Sequence, residues 1–256
     1  MTVSLIVPVY NAEPWIEQCM ASIRAQTYKD IELIVIDDSE RSGAAAARNR
    51  GLDKATGEFI AFCDADDYME PDAIEKMVQA MDGVDLVAGS FRKFGEFEQI
   101  VTSTTTYLRI DEVKRYVFKN LNDPRRFQML SGCCAKLYRR SLVARFPELT
   151  TAEDMAFNFD YLTRCQHVRF IGDIVYHIRK RFNSLSTTFD EKNKLGLFGF
   201  LEALKYVAVF LRNDMIDDEV DDAIDSSKVY HAMLYFMRIC QQQGGSMQDV
   251  FKRLYP

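Results

Sequence analysis

Three carboxylates crowd into four residues at Asp64-Ala65-Asp66-Asp67. Acids at that spacing repel one another unless water, hydrogen-bond donors or a cation compensates them. A hard divalent cation such as Mg²⁺ takes one or two carboxylates and completes its shell with water and substrate phosphates, so the pattern points toward a diphosphate ligand. The same acids suit a second reading, in which they open the next helix, with Pro71 and Asp72 as its N-terminal signal. On residue types alone both readings stand.

Other groups invite the same question. Asp37 and Asp38 close a second apolar run. Thr151-Ala152-Glu153-Asp154 precedes Met155, Phe157 and Phe159 and matches the [ST]-x-x-[DE] helix-start box, which on pattern alone reads as a cap. Arg179-Lys180-Arg181 runs into Asn183-Ser184-Leu185-Ser186, a basic, hydroxyl-rich stretch suited to phosphate oxygens or to an exposed turn. His177, just ahead, reads as a strand histidine rather than a metal ligand. Between Arg125 and Arg145 lie Arg126, Lys136, Arg139 and Arg140, a basic face expected to be mostly solvated, with one or two members left to meet an anionic substrate.

The elements that must carry these groups alternate. Val3–Tyr10, Ile31–Ile36, Glu58–Cys63 and Val84–Ser90 read as strands, with Pro8 loosening the ladder near the end of the first. Pro14–Gln26, Ala44–Ala55 (closed by Gly57) and Asp72–Met81 read as helices. That alternation predicts an α/β fold with a mostly parallel sheet covered on both faces. Ligands of such sheets collect at the carboxyl ends of strands, where Tyr10, Asp38 and Asp64 converge. After Phe91 the pattern weakens, with a strand or loop at Thr102–Thr106 and a helix at Asp111–Leu121. Phe170–Ile178 reads as a strand. Two long helices, Glu191–Arg212 and Glu219–Gln243, close the sequence, the first with a face of Leu195, Phe198, Leu201, Leu204 and Val207 or Ala208. Their surplus aromatics leave room for a membrane surface or a dimer partner.

With 256 residues, 48% of them hydrophobic, the chain can bury a sizeable core. A net charge of −6 argues against a general nucleic-acid binder. There is no signal-peptide pattern and no apolar window of spanning length, which places the chain in the cytoplasm. The six cysteines show no C-x-x-C spacing and read as reduced thiols. G-x-G-x-x-G after the first strand and G-x-x-x-x-G-K-[ST] are both absent, so phosphate must be held by metal and basic side chains.

Seven motifs in order then resemble the family 2 glycosyltransferases of GT-A (Rossmann-like) fold: S-L-I-V-P-V-Y-N from Ser4, Q-T-Y from Gln26, E-L-I-V-I-D-D-S from Glu32, A-R-N-R-G from Ala47, F-C-D-A-D-D from Phe62, K-L-Y-R-R-S from Lys136 and A-E-D-M-A-F-N from Ala152. The resemblance implies a catalytic domain over 1–190 and a C-terminal helical extension over 191–256. It implies that Pro8, Tyr10, Asn11 and Asp38 cradle a nucleotide base, with Tyr10 against uracil, and that Arg48 touches the nucleotide. Asp64-Ala65-Asp66 becomes the metal-binding D-x-D, holding Mn²⁺ or Mg²⁺ chiefly through Asp66, with Asp64 toward metal or ribose. Asp154 becomes the general base, against the capping preference, while Arg179 and Arg181 assist at the phosphates.

The implied reaction is inverting transfer of one sugar from a nucleotide-diphosphate sugar, a UDP-sugar above all, to a hydroxyl of a glycan or lipid-linked saccharide. The setting is cell-surface polysaccharide synthesis, at the inner membrane face if the chain is peripheral, and a homo-oligomer is open. One departure stands out: the family's D-D-G-S-T-D reads Asp37-Asp38-Ser39-Glu40-Arg41-Ser42, without the glycine. Rival readings are a sugar nucleotidyltransferase, which lacks its basic glycine-rich loop here, a phospho-receiver domain, whose acid pair would follow the first strand, and a catalytically silent nucleotide-sugar subunit.

Overall fold

The structure is a computed structural model that describes residues 1–38, 42–95, 98–121, 128–149, 151–180, 191–212 and 215–243; the side chains of 191–197, 231 and 233–243 lie outside that description. Its first half follows the alternation expected. β1 (Val3–Val9), β2 (Ile31–Asp37) and β3 (Phe59–Phe62) are parallel, with α1 (Ile16–Arg24) and α2 (Ala44–Lys54) between them. β1 is apolar on both sides because it is the middle strand of the three, and Val3, Leu5, Ile6 and Val7 are all fully buried. β3 leaves β1 at Ile6, whereas β2 stays paired through Pro8 and Val9. The ladder therefore opens on one side only, next to the acids that follow β3. α1 starts later than Pro14 because Ala12 to Trp15 closes a turn, with Trp15 N–H on the Ala12 carbonyl at 2.9 Å.

After β3 come a two-residue strand β4 (Tyr68–Met69), α3 (Ala73–Gln79) and a long β5 (Leu86–Gly95). Asp72 stands at the start of α3 without a side-chain cap bond and pairs with Lys76 instead. β6 (Gln99–Val101) pairs with β5; β7 (Thr106–Arg109) leads into α4 (Ile110–Lys119). Then follow α5 (Gln128–Ser131), β8 (Lys136–Arg139), α6 (Glu153–Leu162) and β9 (His167–Lys180). The strand order is β2-β1-β3-β8-β5-β9-β4. β8 runs antiparallel to both neighbours, while β5 and β9 are parallel, so the sheet is mixed but mostly parallel. Register breaks at Gly89 to Phe91 bend β5 against β9 beside the site.

α7 (Glu191–Arg212) and α8 (Asp217–Gln243) complete the chain. α7 buries Ala203, Leu204, Val207, Phe210 and Leu211, and Phe210 lies against Phe159 of α6 at 5.6 Å. Phe198, expected on the buried face, is 56% exposed. Gly199 lets α7 close on the loop before α6, since a Cβ there would collide with Thr151. Among the described residues no helix is long and apolar enough to cross a membrane.

The expectation that Gly57 closes α2 is not met. The helix ends at Ala55 in an extended conformation, and Gly57 serves a close approach instead. Its N–H donates to Ser4 Oγ at 2.8 Å, and a Cβ would stand 2.7 Å from the Ser4 nitrogen and the Thr2 carbonyl oxygen. Because backbone cannot yield as a side-chain tip can, Gly57→Ala is expected to destabilise the fold by about 1–3 kcal/mol and to lower Tm by several degrees in thermal unfolding; an unchanged Tm would contradict the close approach.

Candidate active site

α2 delivers the residue around which the acids gather. Gly51 lets the helix sit tightly on β1, where a Cβ would run into the Ile6 side chain. Asn49 locks the same helix to a later loop, giving its Nδ2 to the Phe146 carbonyl at 3.0 Å and taking the Phe146 N–H at 2.8 Å. Phe146 in turn stacks on Phe157 with centroids 3.9 Å apart. Between these fixed points Arg48 projects inward and is only 3% exposed.

Its guanidinium meets three carboxylates. Nη2 donates to Asp64 Oδ1 at 2.8 Å, and Nη1 to Asp154 Oδ1 at 2.9 Å and Glu153 Oε1 at 3.2 Å. Burial disfavours the charged arginine, but Asp154 and Asp64 outweigh it and push its pKa well up. The side chain expected to touch nucleotide is thus turned to acids from two distant parts of the sequence. Asp154 is not in a capping box either. Ala152 precedes α6 in a left-handed conformation (φ 59°) without a side-chain cap bond, and the second oxygen of Asp154 takes the Cys133 N–H at 3.4 Å.

The D-A-D-D stretch is a tight turn, with Asp67 N–H on the Asp64 carbonyl at 3.0 Å and Ala65 buried at its corner. Tyr176 of β9, fully buried, accepts the Asp64 N–H through its hydroxyl at 2.9 Å. Arg179 clasps the outside: its N–H donates to Asp67 Oδ1 at 2.7 Å and its Nε to the Asp66 carbonyl at 3.0 Å. Asp67 is buried, and burial together with Asp64 and Asp66 drives its pKa well up. It braces the turn, whereas Asp64 and Asp66 are only half-buried. Among the described residues no group of three or more acid, histidine or cysteine side chains surrounds a metal position. Two hard, half-buried carboxylates beside a buried third fit a divalent cation that completes its shell with diphosphate oxygens and water.

The strand ends at β1 and β2 form a separate hollow of about 270 Å³, lined among others by Tyr10, Asn11 and Asp37. Tyr10 is 43% exposed, a large aromatic face open to solvent. Pro8 remains in the ladder behind it. Asp38 does not face this hollow. It is buried, and its carboxylate takes hydrogen bonds from Ser42, from Gly43 N–H at 3.1 Å and from Arg50 Nη2 at 2.8 Å. Burial alone would raise its pKa; bonds from Ser42, Arg50 and Gly43 hold it below the ordinary value. Gly43, with φ 92°, supplies a left-handed residue after the acid pair that lacks its usual glycine. The residue of the pair that reaches the hollow is Asp37.

A second cavity, of about 150 Å³, opens before Asp154 and Asp64 and is walled by Cys133, Cys134, Lys136 and Lys93. Lys136 belongs to the stretch expected to be solvated, yet it is 2% exposed, and burial pushes its pKa down to about 8. Arg139 and Arg145 instead pair with Glu58, Asp85 and Asp53. Asn158 holds the cavity wall from behind, donating to the Leu130 and Gly132 carbonyls at 2.8 Å each and accepting from Tyr138. His177 sits on Glu70 at 2.7 Å and stacks on Tyr68, away from the acids' open side. Arg125, Arg126, Arg181 and the Asn183–Ser186 loop lie outside the described residues. Asn11, Ala135 and Ala152, the non-glycine residues with left-handed φ among those described, each adjoin a wall of this region. Such conformations cost of order 1–3 kcal/mol each and concentrate at functional sites.

The profile described as "Glycosyl transferase family 2" matches residues 4–42 and 39–146, more than half of the chain. The chain belongs to this family. It is a glycosyltransferase, and its sheet is the GT-A fold. EpsH of Bacillus subtilis, which carries a glycosyltransferase name, is 29% identical over 286 residues, covering 98% of this chain and 80% of EpsH. Staphylococcus aureus TarS 1–349, solved in complex with UDP-GlcNAc, superposes with TM-score 0.72 at 20% identity over 97% of this chain and 78% of that one. The mannosyltransferase PcManGT of Pyrobaculum calidifontis, solved with GDP-Man and Mn²⁺, gives TM-score 0.52 at 16% identity, covering 98% and 78%.

Two consequences of this family 2 site can be measured. Arg48→Met leaves three carboxylates without their cation and is expected to cost about 3–5 kcal/mol in denaturant unfolding; a loss under 1 kcal/mol would show that the clamp carries little stability. Glu153, pushed from 4.5 up to about 7 by burial and then by Asp154, keeps its proton in the folded state at pH values where the unfolded chain has released it. Stability therefore falls as pH rises through that window. Glu153→Gln should be more stable than the parent at pH 8, with the gap closing near pH 4.5; a gap independent of pH would contradict the raised value.

Proposed function

We propose that this glycosyltransferase moves one sugar from a UDP-sugar to an acceptor hydroxyl with inversion, aided by a divalent cation. The observation that carries the reading is the Arg48 clamp, which fixes Asp64 and Asp154 to one guanidinium at 2.8 and 2.9 Å. Donor-side and acceptor-side acids are thereby held at one place. In this reading the base lies on Tyr10 in the hollow with Asn11, and Asp37 rather than Asp38 accepts its ring N–H. Uracil as the base is supported by the UDP-GlcNAc named for TarS, and a divalent cation, Mn²⁺ or Mg²⁺, by the Mn²⁺ named for PcManGT.

Asp64 and Asp66 would hold the cation, which when bound supplies Lewis-acid neutralisation of the charge on the departing diphosphate. The rest is done by side chains of this chain. Arg179 and Tyr176 keep the D-A-D-D turn in shape, so that its carboxylates need not reorganise during reaction. Asp154, with one oxygen on Arg48, removes the acceptor proton through the other. The acceptor oxygen bonds to the anomeric carbon as the bond from that carbon to the diphosphate oxygen breaks, the electron pair leaving with UDP. One base on the face opposite the leaving group gives inversion.

Residues 1–190 would carry this chemistry, with 191–256 as a helical extension braced on α6. The acceptor would be a glycan or lipid-linked saccharide of the cell surface, met by a peripheral enzyme at the cytoplasmic membrane face. Asp154→Asn keeps the Arg48 contact and removes the base. In a UDP-release assay across UDP-sugars, turnover should fall by about 10²–10⁴-fold while UDP affinity persists, and NMR of the parent's product should show the anomeric configuration opposite to the donor's. Unchanged turnover, or a retained configuration, would overturn the assignment.

A further inference from the structure

The cavity in front of Asp154 holds two ammonium groups that make no ion pair with any described residue. Lys93 of β5 and Lys136 of β8 both line it. Lys136 Nζ donates to the Gly132 carbonyl at 2.5 Å and the Cys134 carbonyl at 3.4 Å. Lys93 Nζ donates to Gln128 Oε1 and lies 5.8 Å from the centre of the Phe91 ring. Among the described residues neither ammonium has a carboxylate within ion-pair distance. The acids of the same cavity have other partners: Asp64 and Asp154 are on Arg48, and Asp67 takes the Arg179 N–H. Lys180 of β9 adds a like charge, and burial together with Lys180 brings Lys93 down to about 8. Asp154 acts on Lys136 from across the cavity, but the hydrogen bonds of both ammoniums go to neutral oxygens, and an anion entering the cavity would offset the cost of their burial through charge-assisted hydrogen bonds.

The bend in β5 is what puts Lys93 there. The register breaks between Gly89 and Phe91 carry the end of the strand over the cavity, with Lys93 beside Ile178 of β9. Gln128 and Ser131 of α5 face the same space with neutral donors and acceptors suited to sugar hydroxyls.

We propose that the acceptor is a saccharide bearing an anionic group, a phosphate or a carboxylate, which Lys93 binds with Lys136 behind it while the nucleophilic hydroxyl lies on Asp154. This assignment of the acceptor class rests on Asp154 facing the acceptor. Asp64 and Asp67 of the D-A-D-D turn line the same cavity; in this assignment the donor's diphosphate stays with the cation at that turn, and the anion at Lys93 is a second one, carried by the acceptor.

The test is a ligand-observed NMR titration of the whole chain, saturated with UDP and Mg²⁺ so that the donor subsite is filled, with glucose, glucose 1-phosphate and glucuronic acid. At least one charged sugar should bind ten-fold or more tightly than glucose. That preference should vanish in Lys93→Met and survive in Lys93→Arg, and the charged sugar that is preferred separates phosphate from carboxylate. Equal binding of the three sugars, a preference that persists in Lys93→Met, or a loss of UDP affinity in place of sugar affinity would overturn the proposal. Should UDP itself fail to bind, the donor reading falls at that step, and the same three sugars titrated into the free chain decide the anion site independently.

Discussion

A single buried arginine holds this site together. Arg48 is almost wholly removed from water, and burying a guanidinium is unfavourable unless carboxylates surround it with good geometry. Asp64 and Asp154 provide that, at 2.8 and 2.9 Å, and Glu153 adds a hydrogen-bond acceptor at 3.2 Å. These acids come from the end of β3 and the start of α6, so satisfying one charge requires two regions nearly ninety residues apart to meet. The rest of the fold serves the meeting: Gly51 seats α2 on β1, Asn49 ties it to Phe146, and beneath them Phe62 packs edge to face on Tyr138, Phe146 and Phe157, the last two stacked on each other. Structure and the proposed chemistry share one constraint, because the acid pair that neutralises Arg48 is also the pair proposed to serve donor and acceptor.

In the proposed reading the site around that clamp divides into a donor half and an acceptor half. The donor half is built from strand ends, where β1 and β2 outrun β3 and leave Tyr10, Asn11 and Asp37 over a hollow. The acceptor half is built from later, less regular pieces: the loop before β8, the bent end of β5 and the first turn of α6. Backbone strain at Asn11, Ala135 and Ala152 falls at the joints of both halves. A fold retains such strain where surrounding contacts over-determine it, and here those contacts are the aromatic cluster, Asn158 and the Arg48 ion pairs.

Much of this could be read in the sequence, and the failures have physical causes. The first strands and helices, and the D-A-D-D turn between them, follow from apolar runs ended by polar residues, which is local information. The inversion of β8 between β3 and β5 is decided by non-local pairing and has no local signature. The resemblance implies Asp38 for the base, and that Asp37 is the one lining the hollow is not legible because β2 is apolar at successive positions, so its inward and outward faces cannot be told apart by alternation. In the structure Ile34, Ile36 and Asp38 point in while Leu33, Val35 and Asp37 point out. The helix-start box at Thr151 marks the beginning of α6 but not the role of its acids, since no side chain caps the helix and Asp154 is drawn to Arg48. Burial of Lys136, expected on a solvated face, and of Tyr176 is a tertiary property; a lysine next to an apolar strand run, and a tyrosine inside one, are the available signals.

The proposed role of the D-A-D-D turn, tied to Arg48, is to bind a nucleoside diphosphate through a metal. Calorimetric titration of UDP into the intact chain, with Mn²⁺ and again with EDTA, repeated for Asp66→Ala, addresses it directly. The account predicts one UDP per chain with Mn²⁺ and at least ten-fold weaker binding both in EDTA and in the variant. UDP affinity that is the same in all three would contradict it.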